Sequence, residues 1–223
     1  MGKKRKLQRF AENETFANLF QHQDYDILND AFPLKGKWHE YFGNRNPIIV
    51  ELGCGKGEYT VSMAKQFHDK NFIGIDRKGA RLWRGCKDAI EQNIPNAAFI
   101  RTRIDNIEHY FAQGEVAEIW VTFPDPQPKK ARRRLVSPNF VERYKKVWGD
   151  IGILHLKTDS RLLYQYLIET SQEEHWEMIE NIEDIYAQND PKYPYLTEIQ
   201  TFYEKKWLEE GSIISYIKIQ IQK

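Results

Sequence analysis

Four carboxylates in this 223-residue chain, Glu51, Asp76, Asp105 and Asp125, stand at or just past the ends of short apolar runs. That is where an α/β fold gathers its ligand chemistry. The first lies in Val50-Glu51-Leu52-Gly53-Cys54-Gly55-Lys56-Gly57-Glu58, where an apolar strand runs into closely spaced glycines and then a helix. Glycine lets the backbone turn tightly and approach a ligand. A dinucleotide site takes the spacing Gly-x-Gly-x-x-Gly, whereas here Gly57 comes one residue early and Glu51 precedes Gly53 and Gly55. A carboxylate at that strand end repels a pyrophosphate and suits the amino group of a methionine moiety. The loop therefore points to S-adenosylmethionine as cofactor.

In Phe72-Ile73-Gly74-Ile75-Asp76 the acid falls 23 residues after Gly53, the spacing at which such folds place a ribose-binding carboxylate. Arg77 and Lys78, which follow, suit either a phosphorylated ribose or a face turned to solvent or RNA; the glycine pattern favours the second. Asp105 faces the adenine edge or caps the helix after it, and spacing alone leaves both open. In Phe123-Pro124-Asp125-Pro126 the prolines restrict the backbone and set the direction of Asp125. Just beyond come Lys129, Lys130, Arg132, Arg133 and Arg134, so that cofactor pocket and polyanion contacts would adjoin.

The formal net charge of +1 conceals an asymmetry: Pro124 to Lys146 holds eight Lys or Arg against two acids, while Leu162 to Pro191 holds none. Further basic clusters lie at Lys3, Lys4, Arg5, Lys6 and Arg9, and at Arg77, Lys78, Arg81, Arg84 and Lys87. An anionic polymer is the partner such patches fit. The six histidines, including His22 and His155, fall into no ligand spacing, and the two cysteines form neither a Cys-x-x-Cys pair nor a disulfide framework, so no metal is expected and a reducing compartment is. No apolar stretch reaches the length of a membrane span or a signal-peptide core. A cytoplasmic protein is expected.

The elements that must position these residues are legible from apolar periodicity. Strands are expected at Ile48 to Leu52, Phe72 to Asp76, Ala97 to Arg101, Glu118 to Phe123 and Ile151 to Lys157. Helices are expected near Glu58 to Phe67, Gly79 to Asn93, Asp105 to Ala112 and Pro138 to Trp148, the last with Ser137 as N-cap and proline at its first position. Then come a helix at Arg161 to Thr170, a strand near Trp176, an ordered acidic loop to Tyr195, a helix at Thr201 to Glu209 and an antiparallel edge strand at Ile213 to Ile221. The fold class is α/β with a mostly parallel, doubly wound sheet. Residues 1–47 read as an N-terminal basic arm and packing segment with a mobile tip, and 48–223 as the main domain.

Glu51-Leu52-Gly53-Cys54-Gly55-Lys56-Gly57, Phe72-Ile73-Gly74-Ile75-Asp76, Phe123-Pro124-Asp125-Pro126 with its basic run, Lys157-Thr158-Asp159 and Thr201-Phe202-Tyr203-Glu204 occur in an order that resembles the bacterial tRNA (guanine-N7)-methyltransferases. The resemblance covers about Glu51 to Glu204. It implies a Rossmann-like class I methyltransferase that uses S-adenosylmethionine on guanosine 46 in the variable loop of tRNA, either as a monomer or as a homodimer. It also implies cofactor contacts from Glu51, Asp76, Asp105 and Asp125, and substrate recognition by Lys129, Asp159 and Thr201 to Glu204. Gln127 stands where the family commonly has Trp, and the basic run lacks the family's His.

The chemistry fits these residues. N7 of guanine carries an in-plane lone pair and no proton, so attack on a sulfonium methyl needs positioning and no general base. The product ring becomes cationic, which gives Asp125 and Asp159 an electrostatic role as catalytic residues; Asp159 has the alternative of capping the following helix. Thr201-x-x-Glu204 also reads as a capping box.

Overall fold

A computed structural model describes residues 3–21 and 31–223, without the side chains of Lys3 to Arg5. Met1, Gly2 and residues 22–30, His22 among them, lie outside the described residues, so the expected mobile tip is described only from Lys3 on. The elements are α1 (Lys3–Asn13), β1 (Leu19–Phe20), α2 (Trp38–Phe42), β2 (Ile48–Leu52), α3 (Glu58–Gln66), β3 (Asn71–Asp76), α4 (Gly79–Glu91), β4 (Ala97–Arg101), α5 (Ile107–Tyr110), β5 (Val116–Thr122), α6 (Pro138–Tyr144), β6 (Trp148–Thr158), α7 (Arg161–Glu173), β7 (Glu177–Ile182), α8 (Ile185–Gln188), α9 (Tyr195–Glu198), α10 (Phe202–Glu209) and β8 (Ser215–Gln222).

The strands form one sheet in the order β1-β4-β3-β2-β5-β6-β8-β7. Every residue of β2 and β3 is buried, as befits central parallel strands covered by helices on both faces. From β2 the chain steps outward through β3 to β4, then returns to place β5 on the other side of β2. That reversal opens a crevice beyond the carboxyl ends of β2 and β5. β8 pairs antiparallel with both β6 and β7. It lies one place in from the edge, and β7, whose residues alternate outward, takes the edge itself.

Two boundaries moved for tertiary reasons. β6 begins at Trp148, where a helix was expected to end, because Trp148 pairs with Val116 of β5; α6 stops at Tyr144. Ser137 is the N-cap residue of α6, yet its hydroxyl donates to Arg132 O at 3.2 Å and caps nothing.

The described parts of the N-terminal segment pack despite their lack of clean period. Asn13 Nδ2 donates to Gly79 O at 2.9 Å and Trp83 Nε1 donates to Glu12 at 2.5 Å, so α1 lies on α4. Leu19 and Phe20 extend the sheet beside Phe99 and Ile100. Trp38 is wholly buried and donates from its indole to Tyr110 O at 3.0 Å. His155 is buried flat against Trp120, with ring centroids 4.0 Å apart, and its nitrogens meet Tyr216 and Glu118. Among the described residues no helix is long and apolar enough to cross a membrane, and no group of three or more His, Cys, Asp or Glu is placed to hold a metal ion.

Candidate active site

The glycine loop closes over the end of β3: Gly53 N and Cys54 N both donate to Ile75 O, at 2.8 and 3.1 Å. Gly57 has φ +71°, and a Cβ there would stand 2.5 Å from Cε1 of Phe99, so backbone and space both require glycine. At Gly53, φ +74°, a Cβ would meet nothing within 4 Å, and the loop faces open space on that side. Asp76 spans the turn, accepting from Gly55 N at 3.1 Å through one oxygen and from Lys78 N at 2.7 Å through the other. A carboxylate keeps further lone pairs beyond these two bonds, enough to accept ribose hydroxyls.

Glu51 is only 5% exposed and holds the crevice together. One oxygen accepts from Thr60 N at 2.9 Å and from the Thr60 hydroxyl, the other from the Thr122 hydroxyl of β5 at 2.5 Å. Burial is the main force on its acidity, pushing the carboxyl up to about 7 against the pull of those three hydrogen bonds. A raised acid binds its proton more tightly in the folded than in the unfolded chain, so the free protein should lose stability as pH rises from about 4.5 through 7. A cationic ligand prefers the ionised form. The affinity for S-adenosylmethionine is therefore expected to weaken by up to about tenfold per pH unit as pH falls below 7, as read by calorimetry across pH 5.5–8.5. Glu51→Gln should remove that dependence.

Asp105 sits in a short 3-10 turn, Ile104–Asn106, that Arg103 precedes, and caps no helix by its side chain. It is half exposed, with Arg103 Nη2 at 3.6 Å. The helix-cap alternative is thus removed for Asp105, and its carboxylate is left facing outward.

At the end of β5 the backbone is strained. Phe123 has φ +46°, as does Gln127 at +45°, rare for residues with a Cβ. The Phe123 amide donates to Lys157 O at 2.8 Å, and Asp125 accepts from Gln127 N at 3.0 Å in a tight local turn. Asp125 is exposed there, and together with Asp159, Tyr203, Trp207 and Arg81 it lines a cleft of about 380 Å³. Asp159 is half-buried, and burial lifts its carboxyl above the usual range. No other side chain donates to it among the described residues. Ser160 is the N-cap of α7, accepting from Leu163 N at 3.4 Å, so Asp159 is spared that task.

The basic run divides. Lys129, Lys130, Arg132 and Arg133 are exposed, without an ion pair among the described residues. Arg134 corrects the expectation of a phosphate contact: it is 7% exposed, donates from Nε to Pro126 O at 3.1 Å and lies 4.3 Å over Tyr166. Its guanidinium fixes the Asp125 loop from within.

The 201–204 segment divides too. Thr201 and Glu204 form the capping box of α10. Glu204 is fully buried against Lys157, 2.7 Å away, and accepts from Tyr186 Oη at 2.9 Å. Both residues point inward, a correction to their expected contact with substrate, while Tyr203 is 45% exposed in the cleft. Lys157 was missed by sequence reasoning. It donates to Leu196 O at 2.6 Å and Ile199 O at 3.2 Å as well as to Glu204. The available signal was a lysine within the apolar strand Ile153-Leu154-His155-Leu156-Lys157, a position that requires a buried partner.

A mostly parallel sheet with a glycine loop at the carboxyl end of β2 is the Rossmann-like fold of the class I methyltransferases. The fold is similar to that of the 16S rRNA methyltransferase KamB, with a TM-score of 0.63 at 12% identity, covering 84% of this chain and 94% of that one. A family model described as a putative methyltransferase matches residues 45–216. The chain is 50% identical over 225 residues to a tRNA (guanine-N(7)-)-methyltransferase of Christiangramia forsetii, with 100% of both chains covered. It is 45% identical to a protein of the same name from Bacteroides thetaiotaomicron, over 98% of this chain and 86% of that one, and 32% identical to one from Streptococcus suis, over 88% and 91%. The chain belongs to the bacterial tRNA (guanine-N7)-methyltransferase family.

Proposed function

We propose that the protein transfers the methyl group of S-adenosylmethionine to N7 of the variable-loop guanosine, position 46, of tRNA. The observation that carries this reading is the cleft that Asp125 and Asp159 line together with Tyr203, with Lys129, Lys130, Arg132 and Arg133 exposed just along the chain and without an ion pair among the described residues. The residues present fit the cofactor. The loop is open at Gly53, Glu51 suits an ammonium, and Asp76 and Asp105 suit the ribose and adenine edges. Bound there, S-adenosylmethionine supplies an electrophilic methyl group on sulfur.

This chain's own residues do the rest by placement. Asp125 and Asp159 set negative charge beside the base, where positive charge develops on the ring as N7 is alkylated. Tyr203 offers a ring for stacking an unstacked base. Lys129, Arg132 and Arg133, exposed in the segment after Asp125, and Arg81, which lines the cleft, hold phosphates. Residues 48–223 act as the methyltransferase domain and 1–47 as a basic arm and packing segment on it. The reading places the enzyme in the cytoplasm, with tRNA as its partner, working as a monomer or homodimer.

The test is to incubate the protein with labelled S-adenosylmethionine and unmodified tRNA transcripts, then cleave at 7-methylguanosine by reduction and aniline. Cleavage at the variable-loop guanosine is expected. Label without that cleavage overturns the N7 assignment, and no label overturns the activity. Separately, Arg132→Ala with Arg133→Ala should weaken tRNA binding and flatten the plot of log affinity against log salt by about one unit per lost contact. An unchanged slope would remove those two residues from the interface; cofactor affinity should stay as it was.

A further inference from the structure

The first turn of α10 faces the cleft through Tyr203, yet part of its backbone is held from the cofactor side. The Phe202 amide donates to Oε2 of Glu58 at 3.2 Å, and Nζ of Lys56 lies 4.3 Å over the Phe202 ring. Lys56 and Glu58 flank Gly57, the left-handed residue that turns the glycine loop into α3.

A helix start leaves amide donors without helical partners. In α10, Glu204 takes the Thr201 amide at 3.3 Å and Thr201 takes the Glu204 amide at 3.2 Å, both from within the helix's own cap. Glu58 supplies the acceptor for Phe202 from another element, and as a carboxylate it also sits favourably at the positive end of the helix. An eight-residue helix has little stability of its own and takes its placement from what it touches.

We propose that Glu58 is a positioning residue that couples occupancy of the glycine loop to the placement of Tyr203 in the acceptor cleft. This rests on the reading of the loop as the S-adenosylmethionine site and the cleft as the tRNA site. Gly53 and Gly55 face open space and leave that part of the loop free to adjust, while Gly57 is packed against Phe99; a ligand that fixes the loop fixes the carboxylate of Glu58 and hence the first turn of α10. The Lys157–Glu204 pair anchors the helix from below, so the Glu58 contact governs its orientation and leaves its folding alone. Coupling between two binding sites is reciprocal.

The test compares wild type, Glu58→Ala and Glu58→Gln in two measurements. In the first, tRNA affinity is measured with and without saturating S-adenosylhomocysteine. Wild type should bind tRNA at least about fivefold tighter with it, Glu58→Ala should show a ratio near one, and Glu58→Gln, which keeps an acceptor oxygen, should recover part of the effect. In the second, amide hydrogen exchange over residues 201–208 is followed without tRNA: S-adenosylhomocysteine should protect the segment in wild type and fail to do so in Glu58→Ala. Equal ratios and equal protection in wild type and Glu58→Ala would overturn the proposal, as would a wild type that shows neither. Protection lost in Glu58→Ala while no form binds tRNA would support the coupling and defeat the tRNA reading instead.

Discussion

Asp125→Asn should lower kcat by about 10²–10³-fold, roughly 3–4 kcal/mol of barrier, while the Kd for tRNA changes little. The side chain keeps its size and its ability to accept from Gln127 N, at 3.0 Å in the wild type. What it loses is charge next to a base that turns cationic. An interaction stronger in the transition state than in the ground state appears in kcat and spares binding. Asp159→Asn should behave alike, with one difference in pH. Burial raises the Asp159 carboxyl, so the wild-type rate should fall on the acid side as Asp159 takes up its proton, and Asp159→Asn should lack that limb. Single-turnover rates from pH 5 to 9 decide it. If Asp125→Asn turned over within about threefold of wild type, the electrostatic role would be wrong.

Lys157→Ala should destabilise the fold by about 3–5 kcal/mol, because removing one partner of a buried pair leaves the other charge uncompensated. Lys157 and Glu204 are both fully buried, 2.7 Å apart. The loss should be large for a second reason: the same ammonium donates to Leu196 O and Ile199 O and so fastens α9 and the residue after it to β6. Glu204→Leu should cost a similar amount, and the double variant Lys157→Met with Glu204→Leu less than the sum of the singles, since contacting partners are not additive. Urea unfolding followed by tryptophan fluorescence would show it. A Lys157→Ala variant within about 1 kcal/mol of wild type would sink this account.

Much of the fold was legible because its signals are local. β2 and β3 are mostly apolar runs stopped by a glycine and an acid, and a buried parallel strand needs no more than that to be recognised. The glycine loop and Asp76 were legible because their spacing is set by one strand-turn-helix unit. Trp148 was misplaced because its strand conformation comes from pairing with Val116, 32 residues earlier, and no local pattern carries that partner. The position of β8 inside β7 was hidden for a like reason: order within a sheet is a property of pairing, and the apolar alternation of Ile213 to Ile221 fits a central or an edge strand.

The residues that could do the chemistry were determined by the sequence alone: Glu51, Asp76, Asp105, Asp125 and Asp159, their order along the chain and the strand ends that carry them. Only the tertiary structure decided which side chains turn toward the cleft and which turn into the core. Arg132, Arg133 and Arg134 look alike as a run, yet Arg134 alone is buried and tied to Pro126 O. Thr201 to Glu204 reads as one motif, yet Tyr203 faces the cleft while Glu204 neutralises Lys157. The physical reason is the same in both cases. A charge enters the interior only where partners meet it, and the Tyr166 ring over Arg134 and the Lys157 ammonium beside Glu204 reach their places only once the chain has folded.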